Sequence, residues 1–312
     1  MARGEGRGKV ILLGEHAVVH GVPALTVALD RGAEAEANFL ENDGASELAI
    51  GDWTARAGDG SELGQAFAAL LSATETTRPV RVLARTDLLP SAGLGCSAAL
   101  GVAITRALLT LKGIDDSPEN VAARALAWEA IFHGNPSGID TAIAARGGCL
   151  FYQRREGAPL VEPVRVGAKL VLAIGYTGTA APTRAMVEAV ARLREQKPAM
   201  VSKTFAAIEA LVRDARLALE AGDVAGLGQL LNANQMLLSG LFVSTEEIET
   251  LCRLARENGA VGAKLTGAGG GGCVLALTET SPEPILEAWA RAGFEGFAAT
   301  IEANPIGTRV AR

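Results

Sequence analysis

The sequence predicts an α+β fold in two domains. Strand-like runs fill the first half, helices dominate beyond Tyr176, and the two kinds mix without a regular strand–helix–strand repeat. The 312 residues are 49% hydrophobic, which is enough material for two ordinary cores. Aromatics are only 4%, so small aliphatic side chains carry the packing.

The elements follow in order. Val10–Leu13, Ala24–Leu29, Ala33–Phe39 and Val80–Thr86 are rich in β-formers or alternate in polarity, as strands do. Ser97–Lys112 is apolar nearly all round, which predicts a buried helix, and Gly113 suits its C-terminal cap. Ser117-Pro118-Glu119 offers an N-cap, a proline at the first position and an acid in the first turn; that helix runs to about His133. Strands return at Cys149–Gln153 and Leu170–Tyr176. Phe205, Ile208, Leu211, Val212, Ala215 and Leu219 form an amphipathic stripe. Ser244 with Glu247 reads as a capping box for a helix that Gly259 ends. Val261–Leu265 and Cys273–Leu277 read as strands joined by a glycine loop, Ser281-Pro282 starts a helix, and Phe297–Ala303 is the last strand. With neither a low-complexity linker nor an internal repeat, the domain boundary falls near residue 165, dividing the chain into 1–165 and 166–312.

Charge and cysteine usage exclude some functions. A net charge of −6 argues against nucleic-acid binding, which needs a basic face. Ile11–Leu13 is too short for a signal peptide's apolar region, and Ala98–Leu111, broken by Arg106, falls short of a membrane span. Cys96, Cys149, Cys252 and Cys273 show no metal-ligand rhythm. A soluble, reduced, cytoplasmic protein is the simplest reading.

Two glycine loops point to chemistry. Pro90-Ser91-Ala92-Gly93-Leu94-Gly95-Cys96-Ser97 precedes the buried helix, whose free N–H groups and dipole make an anion site fit for nucleotide phosphates. Ser97 places a hydroxyl where Mg²⁺ is commonly held. A plain strand-to-helix turn explains a G-x-G equally well, and the Walker lysine and the Rossmann spacing are both missing. The second loop, Lys264 to Gly272, holds five glycines in six residues. A hairpin needs one or two, so the excess implies backbone that passes close to something, such as the first loop or a triphosphate.

Some polar residues sit in apolar company. Val121, Ala125, Trp128 and Phe132 share a helix face, and Glu129 lies at its edge, where a solvated boundary glutamate is the simpler reading. In His133-Gly134-Asn135-Pro136-Ser137-Gly138-Ile139-Asp140 the proline and glycines set a turn, Ser137 suits the cap of a short helix, and Asp140 falls in its first turn, either as a dipole-favoured acid or as a catalytic carboxylate. Lys9 stands at the mouth of an apolar strand, with Glu15 and His16 at its end.

Together these segments resemble the GHMP kinases, the superfamily of galactokinase, homoserine kinase, mevalonate kinase and phosphomevalonate kinase. GKVILLGEHAVVHG (8–21), AGLGCSAA (92–99), HGNPSGID (133–140) and KLTGAGGGGC (264–273) are most similar to the mevalonate kinase family, in unchanged order. The resemblance implies an S5-like N-terminal ATP-binding domain, a ferredoxin-like C-terminal domain and an active site in the cleft between them. It implies phosphorylation of (R)-mevalonate to 5-phosphomevalonate for isoprenoid biosynthesis, with ATP and Mg²⁺, no nucleic-acid or membrane partner, and a homodimer as an admissible assembly. Asp140 then matches the catalytic aspartate and Lys9 the lysine beside it. Ser97 and Glu129 match the Mg²⁺ ligands. Pro90, Ala92, Gly93, Leu94, Gly95, Cys96, Ser97 and Ala98, with Gly267 and Gly269, match the nucleotide-binding loops. Glu15, His16 and Thr183 match positions near the mevalonate.

Three residues depart from the family pattern: Cys96 stands for a usual serine, Ser91 for a glycine and Arg7 for a proline. Cys96 is expected to contribute mainly its backbone N–H and the change to be tolerated, although a thiol at a helix N-terminus can have a depressed pKa and react. Among rivals, phosphomevalonate kinase needs further cations for its substrate's phosphate, the related decarboxylase has a different N-terminal motif, and a non-catalytic metabolite sensor has no use for the aspartate, the lysine and the metal ligands.

Overall fold

The computed structural model of the chain describes residues 1–41, 44–90, 92–133 and 136–304. Among them run β1 (Ala2–Leu13), a 3₁₀ turn (Ala17–His20), β2 (Ala24–Phe39), β3 (Glu47–Ile50), β4 (Trp53–Arg56), α1 (Glu62–Ala73), β5 (Val80–Thr86), α2 (Cys96–Lys112), α3 (Pro118–His133), α4 (Ile139–Arg146) and β6 (Cys149–Gln153). They continue with β7 (Leu160–Pro163), β8 (Leu170–Tyr176), α5 (Thr183–Gln196), α6 (Pro198–Ala221), α7 (Val224–Gly240), α8 (Glu246–Glu257), β9 (Gly262–Thr266), β10 (Cys273–Thr278), α9 (Glu283–Arg291) and β11 (Glu295–Ile301). The mixed α+β composition matches the sequence-based expectation. Contacts divide the chain into two compact units, one of Met1–Lys9, Arg31–Pro90 and Gly95–Gly147, the other of Val10–Asp30, Ser91–Leu94 and Gly148–Arg312.

In the first unit the later part of β2 pairs antiparallel with β5, β5 parallel with β3, and β3 antiparallel with β4. Val80, Val82 and Ala84 of β5 point inward and alternate with outward Arg81, Leu83 and Arg85, the period of two that a one-sided sheet requires. The helical layer is centred on α2. Its Ala98, Val102 and Leu109 pack with Val121 and Ala125 of α3 and Ala144 and Ala145 of α4. Small side chains on all sides of α2 let helices approach closely from several directions. Gly113, at φ 66°, ends α2 by donating to the carbonyls of Leu109 and Thr110, as the sequence predicts.

In the second unit the first part of β2 pairs with β6, and β6 with β7. A separate antiparallel sheet has the order β11-β8-β10-β9. Ile174 of β8 lies between Leu275 of β10 and Phe297 of β11. The outer edge of β9 is satisfied by side-chain amides of α7. Asn232 Oδ1 accepts from the Ala263 N–H at 3.0 Å, Asn232 Nδ2 donates to the Val261 carbonyl at 3.0 Å, and Gln235 Oε1 accepts from the Leu265 N–H at 2.9 Å.

Several boundaries differ from expectation. The cap of α8 is Thr245, whose Oγ1 accepts from the Ile248 N–H, while Ser244 Oγ donates to Glu249 Oε1 at 2.7 Å. Ser and Thr adjoin there, and the one with an extended backbone at the helix mouth takes the cap. The final strand is Glu295–Ile301, two residues earlier than read. Residues 24–39, read as two strands, form one.

Candidate active site

In the first unit, Gly95 caps α2 at φ 75° and leaves the Cys96 and Ser97 N–H groups without intrahelical partners in the first turn. A Cβ on Gly95 would stand 2.9 Å from Lys9 Cγ. Glycine at this position therefore serves both the left-handed turn and the passage of the lysine stem. The Lys9 side chain is 4% exposed and ends 3.2 Å from Asp140 Oδ1. Asp140 falls in the first turn of α4, whose N-cap is Gly138 at φ 84°. Ser137, expected as the cap, stands one residue before the N-cap and accepts a 3.4 Å bond from the N–H of Ile139, the first residue of α4. Asp140 Oδ1 is buried and paired with the Lys9 ammonium, and it makes no hydrogen bond among the described residues. It is a carboxylate oxygen beside a cation, with acceptor capacity to spare.

Ser97 Oγ donates to Glu129 Oε1 at 2.5 Å and accepts from Trp128 Nε1 at 3.2 Å. Glu129 is 3% exposed, so the reading of a solvated boundary glutamate is wrong. The wheel places Glu129 correctly at the edge of the apolar stripe, but α2 covers that edge and supplies the hydroxyl. Burying a carboxylate costs free energy unless it is paired. A hydroxyl and a carboxylate are hard oxygen donors of the kind Mg²⁺ takes. The described residues contain no group of three or more His, Cys, Asp or Glu able to hold a metal.

Cys96 overturns one expectation. Burial pushes its thiol above the ordinary range, and the Glu129 and Asp87 carboxylates add to that; only the contact to Thr86 Oγ1 at 3.9 Å acts the other way. Desolvation is the largest influence on this thiol, so it is not activated.

In the second unit the two glycine loops touch. A Cβ on Gly93 would stand 2.7 Å from the Thr266 carbonyl oxygen, and one on Gly267 3.0 Å from Gly93 Cα. The glycine excess thus reflects close backbone approach to the first loop, one of the two explanations offered by the sequence. The second loop is tied down at several points. The Gly270 N–H donates to the Val243 carbonyl at 2.8 Å, the Gly272 N–H to the Thr179 carbonyl at 2.7 Å, and the Cys273 N–H to the Ala92 carbonyl at 3.0 Å. Gly269 belongs to the same loop, at φ 73°. The segment 177–182 that leads into Thr183 lies along this loop, and Thr183 itself is exposed as the first residue of α5.

Glu15 and His16 have different surroundings. Glu15 is fully buried, with Oε1 against Lys264 Nζ and Oε2 accepting from Asn234 Nδ2 at 3.2 Å. His16 has φ 61° and ψ −48°, and the Ala17 N–H donates to the Glu15 carbonyl at 2.7 Å across it. This is a γ-turn of the rarer, strained hand, and such a residue stores about 1–3 kcal/mol. His16 Nε2 stands 2.8 Å from the Ala268 carbonyl in the glycine loop. Burial drives its pKa down to about 4, against the opposing pull of the Ala268 carbonyl, and nearby His20 lowers it further. His16 is therefore neutral at physiological pH.

Sequence reasoning did not single out Trp128, Asn234 or Lys264 as individuals. Trp128 reads as apolar stripe, Asn234 has no signal at all, and Lys264 is visible only as the head of a motif. Pro90 lies in an exposed turn before the first loop, and Leu94 and Ala98 are buried behind it. Gly134 and Asn135, in the stretch before Asp140, lie outside the described residues.

Residues 62–148 match the family model of the GHMP kinases N terminal domain, and residues 207–295 that of the GHMP kinases C terminal region. The chain is 36% identical to the mevalonate kinase of Aeropyrum pernix, over 96% of both chains. It is 34% identical to that of Thermococcus sibiricus, over 91% of both. Its structure matches L. major mevalonate kinase in complex with R-mevalonate with a TM-score of 0.81 at 30% identity, covering 97% of both chains. Lactococcus lactis galactokinase complexed with galactose shares the fold, with a TM-score of 0.78 at 17% identity.

Proposed function

Because the chain belongs to the GHMP kinases, in their mevalonate kinase branch, we infer that it phosphorylates mevalonate with Lys9 and Asp140 as its catalytic pair. The reaction transfers the γ-phosphoryl group of ATP to the primary hydroxyl of (R)-mevalonate, giving 5-phosphomevalonate for isoprenoid biosynthesis. The observation that carries the roles is the buried Asp140 Oδ1, 3.2 Å from Lys9 Nζ and without a hydrogen bond among the described residues. Asp140 accepts the hydroxyl proton as the new O–P bond forms and the bond to ADP breaks. Lys9 offsets the charge on the attacking oxygen and on the carboxylate. Such transfer depends on positioning and charge neutralisation rather than covalent help.

The N–H groups at the start of α2 receive phosphate oxygens, and the backbone around Gly93, Gly267 and Gly269 follows the triphosphate. Ser97 and Glu129 hold Mg²⁺, which when bound neutralises phosphate charge. His16, as a neutral imidazole, and Thr183 contact mevalonate. Residue 165 is kept as the junction between the ATP-binding half and the C-terminal half. Among the described residues no helix is long and apolar enough to cross a membrane. With a net charge of −6, this supports a cytoplasmic enzyme without nucleic-acid or membrane partners, for which a homodimer is an admissible assembly.

The test feeds Mg-ATP with mevalonate, phosphomevalonate, homoserine or galactose and follows ADP. Mevalonate should be the preferred acceptor, and Asp140→Asn should lower kcat by about 10²–10⁴-fold while the protein stays folded. Faster turnover of another acceptor would refute the substrate; a near-normal kcat for Asp140→Asn would refute the base.

A further inference from the structure

We propose that Glu15, Lys264 and Asn234 form a buried clamp that positions His16 against the glycine loop, so that mevalonate recognition and the second nucleotide loop are held as one unit. The proposal rests on the reading of His16 as a mevalonate contact.

The chain order explains why a clamp is needed at this point. His16 occupies a strained γ-turn, which persists only when both flanks are fixed. On one flank the Val18 N–H donates to the Gly14 carbonyl at 3.1 Å. On the other stands Glu15, whose side chain is 0% exposed. Its partner Lys264, also 0% exposed, donates to Glu15 Oε1, to the Leu265 carbonyl and, at 3.4 Å, to the Ile11 carbonyl. One ammonium thus joins Ile11 of β1 and Glu15, one residue before His16, to β9, which runs directly into Gly267 and Ala268. The loop closes where His16 Nε2 meets the Ala268 carbonyl at 2.8 Å.

Asn234 indicates that this arrangement is not kept for stability alone. It is 0% exposed, and Nδ2 donates to Glu15 Oε2 at 3.2 Å. Its Oδ1 is buried without a partner among the described residues. A buried acceptor left unsatisfied is a net cost, and an apolar side chain of the same shape would remove it. What Asn234 supplies in return is the fixed orientation of the second Glu15 oxygen. Glu15 matches a substrate-lining position by resemblance, yet its carboxylate is buried against Lys264 and Asn234. It acts through His16 and is a positioning residue.

Two measurements test the clamp. Asn234→Leu removes the unsatisfied acceptor but also the donor to Glu15 Oε2, so the thermal midpoint should fall only modestly, while the KM for mevalonate should rise about tenfold and kcat fall by less. The His16 imidazole, followed by NMR, should titrate closer to its ordinary value in this variant as the turn loosens. The paired variant Glu15→Gln with Lys264→Met removes both buried charges together. It should be more stable than Lys264→Met alone and should keep the raised KM. A wild-type KM in either Asn234→Leu or the paired variant would overturn the clamp. His16→Ala separates this from the underlying reading: if that variant binds mevalonate normally, His16 is no substrate contact, and the clamp loses its function with it.

Discussion

Replacing His16 by glutamine removes an imidazole that the fold holds neutral, and the loss is readable in how stability depends on pH. The ordinary pKa of histidine is 6.5, and burial lowers that of His16 to about 4. Between those values the unfolded chain binds a proton that the folded chain refuses. The stability contributed by the neutral ring is therefore complete above pH 6.5 and is lost as pH falls toward 4. At 1.36 kcal/mol per pH unit the whole effect is about 3 kcal/mol, of which about 2 kcal/mol is gone by pH 5. Urea titrations of wild type and His16→Gln at about pH 5 and about pH 7.5 would measure it. Fluorescence of Trp289, fully buried in the same unit, reports the transition. Comparing the pH effect between the two proteins cancels His20 and the carboxylates. Wild type should lose about 2 kcal/mol more than the variant on acidification. Equal losses, within about 0.5 kcal/mol, would refute the burial argument.

Other expectations follow from the same geometry. Ser97→Ala should raise the Mg²⁺ concentration needed for half-maximal rate, because Glu129 then faces the ion without its hydroxyl partner; an unchanged Mg²⁺ titration would count against ligation. Gly95→Ala forces a Cβ to 2.9 Å from Lys9 Cγ at φ 75°, so it should cost about 1–3 kcal/mol of stability and reduce kcat by displacing the ammonium. Normal kcat with normal stability would show that Lys9 has another path to Asp140. Cys96, its thiol pushed up by burial, should alkylate with iodoacetamide more slowly than free cysteine at pH 8. Reaction at the free-thiol rate would restore the expectation drawn from the helix terminus.

Strand and helix boundaries were legible where punctuation surrounds them. Val80–Thr86, Cys149–Gln153 and Leu170–Tyr176 are found as read, and Gly113 and Pro118 mark helix ends where the chemistry of those residues places them. The hairpin of β3 and β4 was not legible, because four-residue strands carry too little alternation. Nor were α1, α5 and α7; glycines at 226, 228 and 240 in α7 blur the helical signal. β1 starts eight residues before its apolar run because alternate glycines, Gly4 and Gly6, let it lie directly on the backbone of α2.

The site divides in the same way. The glycine loops could be read physically, because glycine excess has few explanations. The status of Glu129, Glu15 and Cys96 could not, since it depends on what covers them. Glu129 is covered by a helix whose Ser97 lies 32 residues earlier, and Glu15 meets a lysine 249 residues away. Resemblance named Asp140 and Lys9; only their placement showed a carboxylate oxygen with acceptor capacity to spare.

The amides of Asn232 and Gln235 along the outer edge of β9 have a further consequence. They act as a surrogate strand, spending the N–H and C=O groups through which an edge recruits other chains. They also set the register. If β9 slipped by one residue, both amides would lose their partners and Lys264 would turn from the interior to the opposite face. A loop with five glycines in six residues has many shapes open to it, but it leaves Thr266 and rejoins at Cys273 from a single fixed alignment. The freedom of the glycines is thus confined between two immovable posts, and a helix on the far side of β9 determines where the second glycine loop begins.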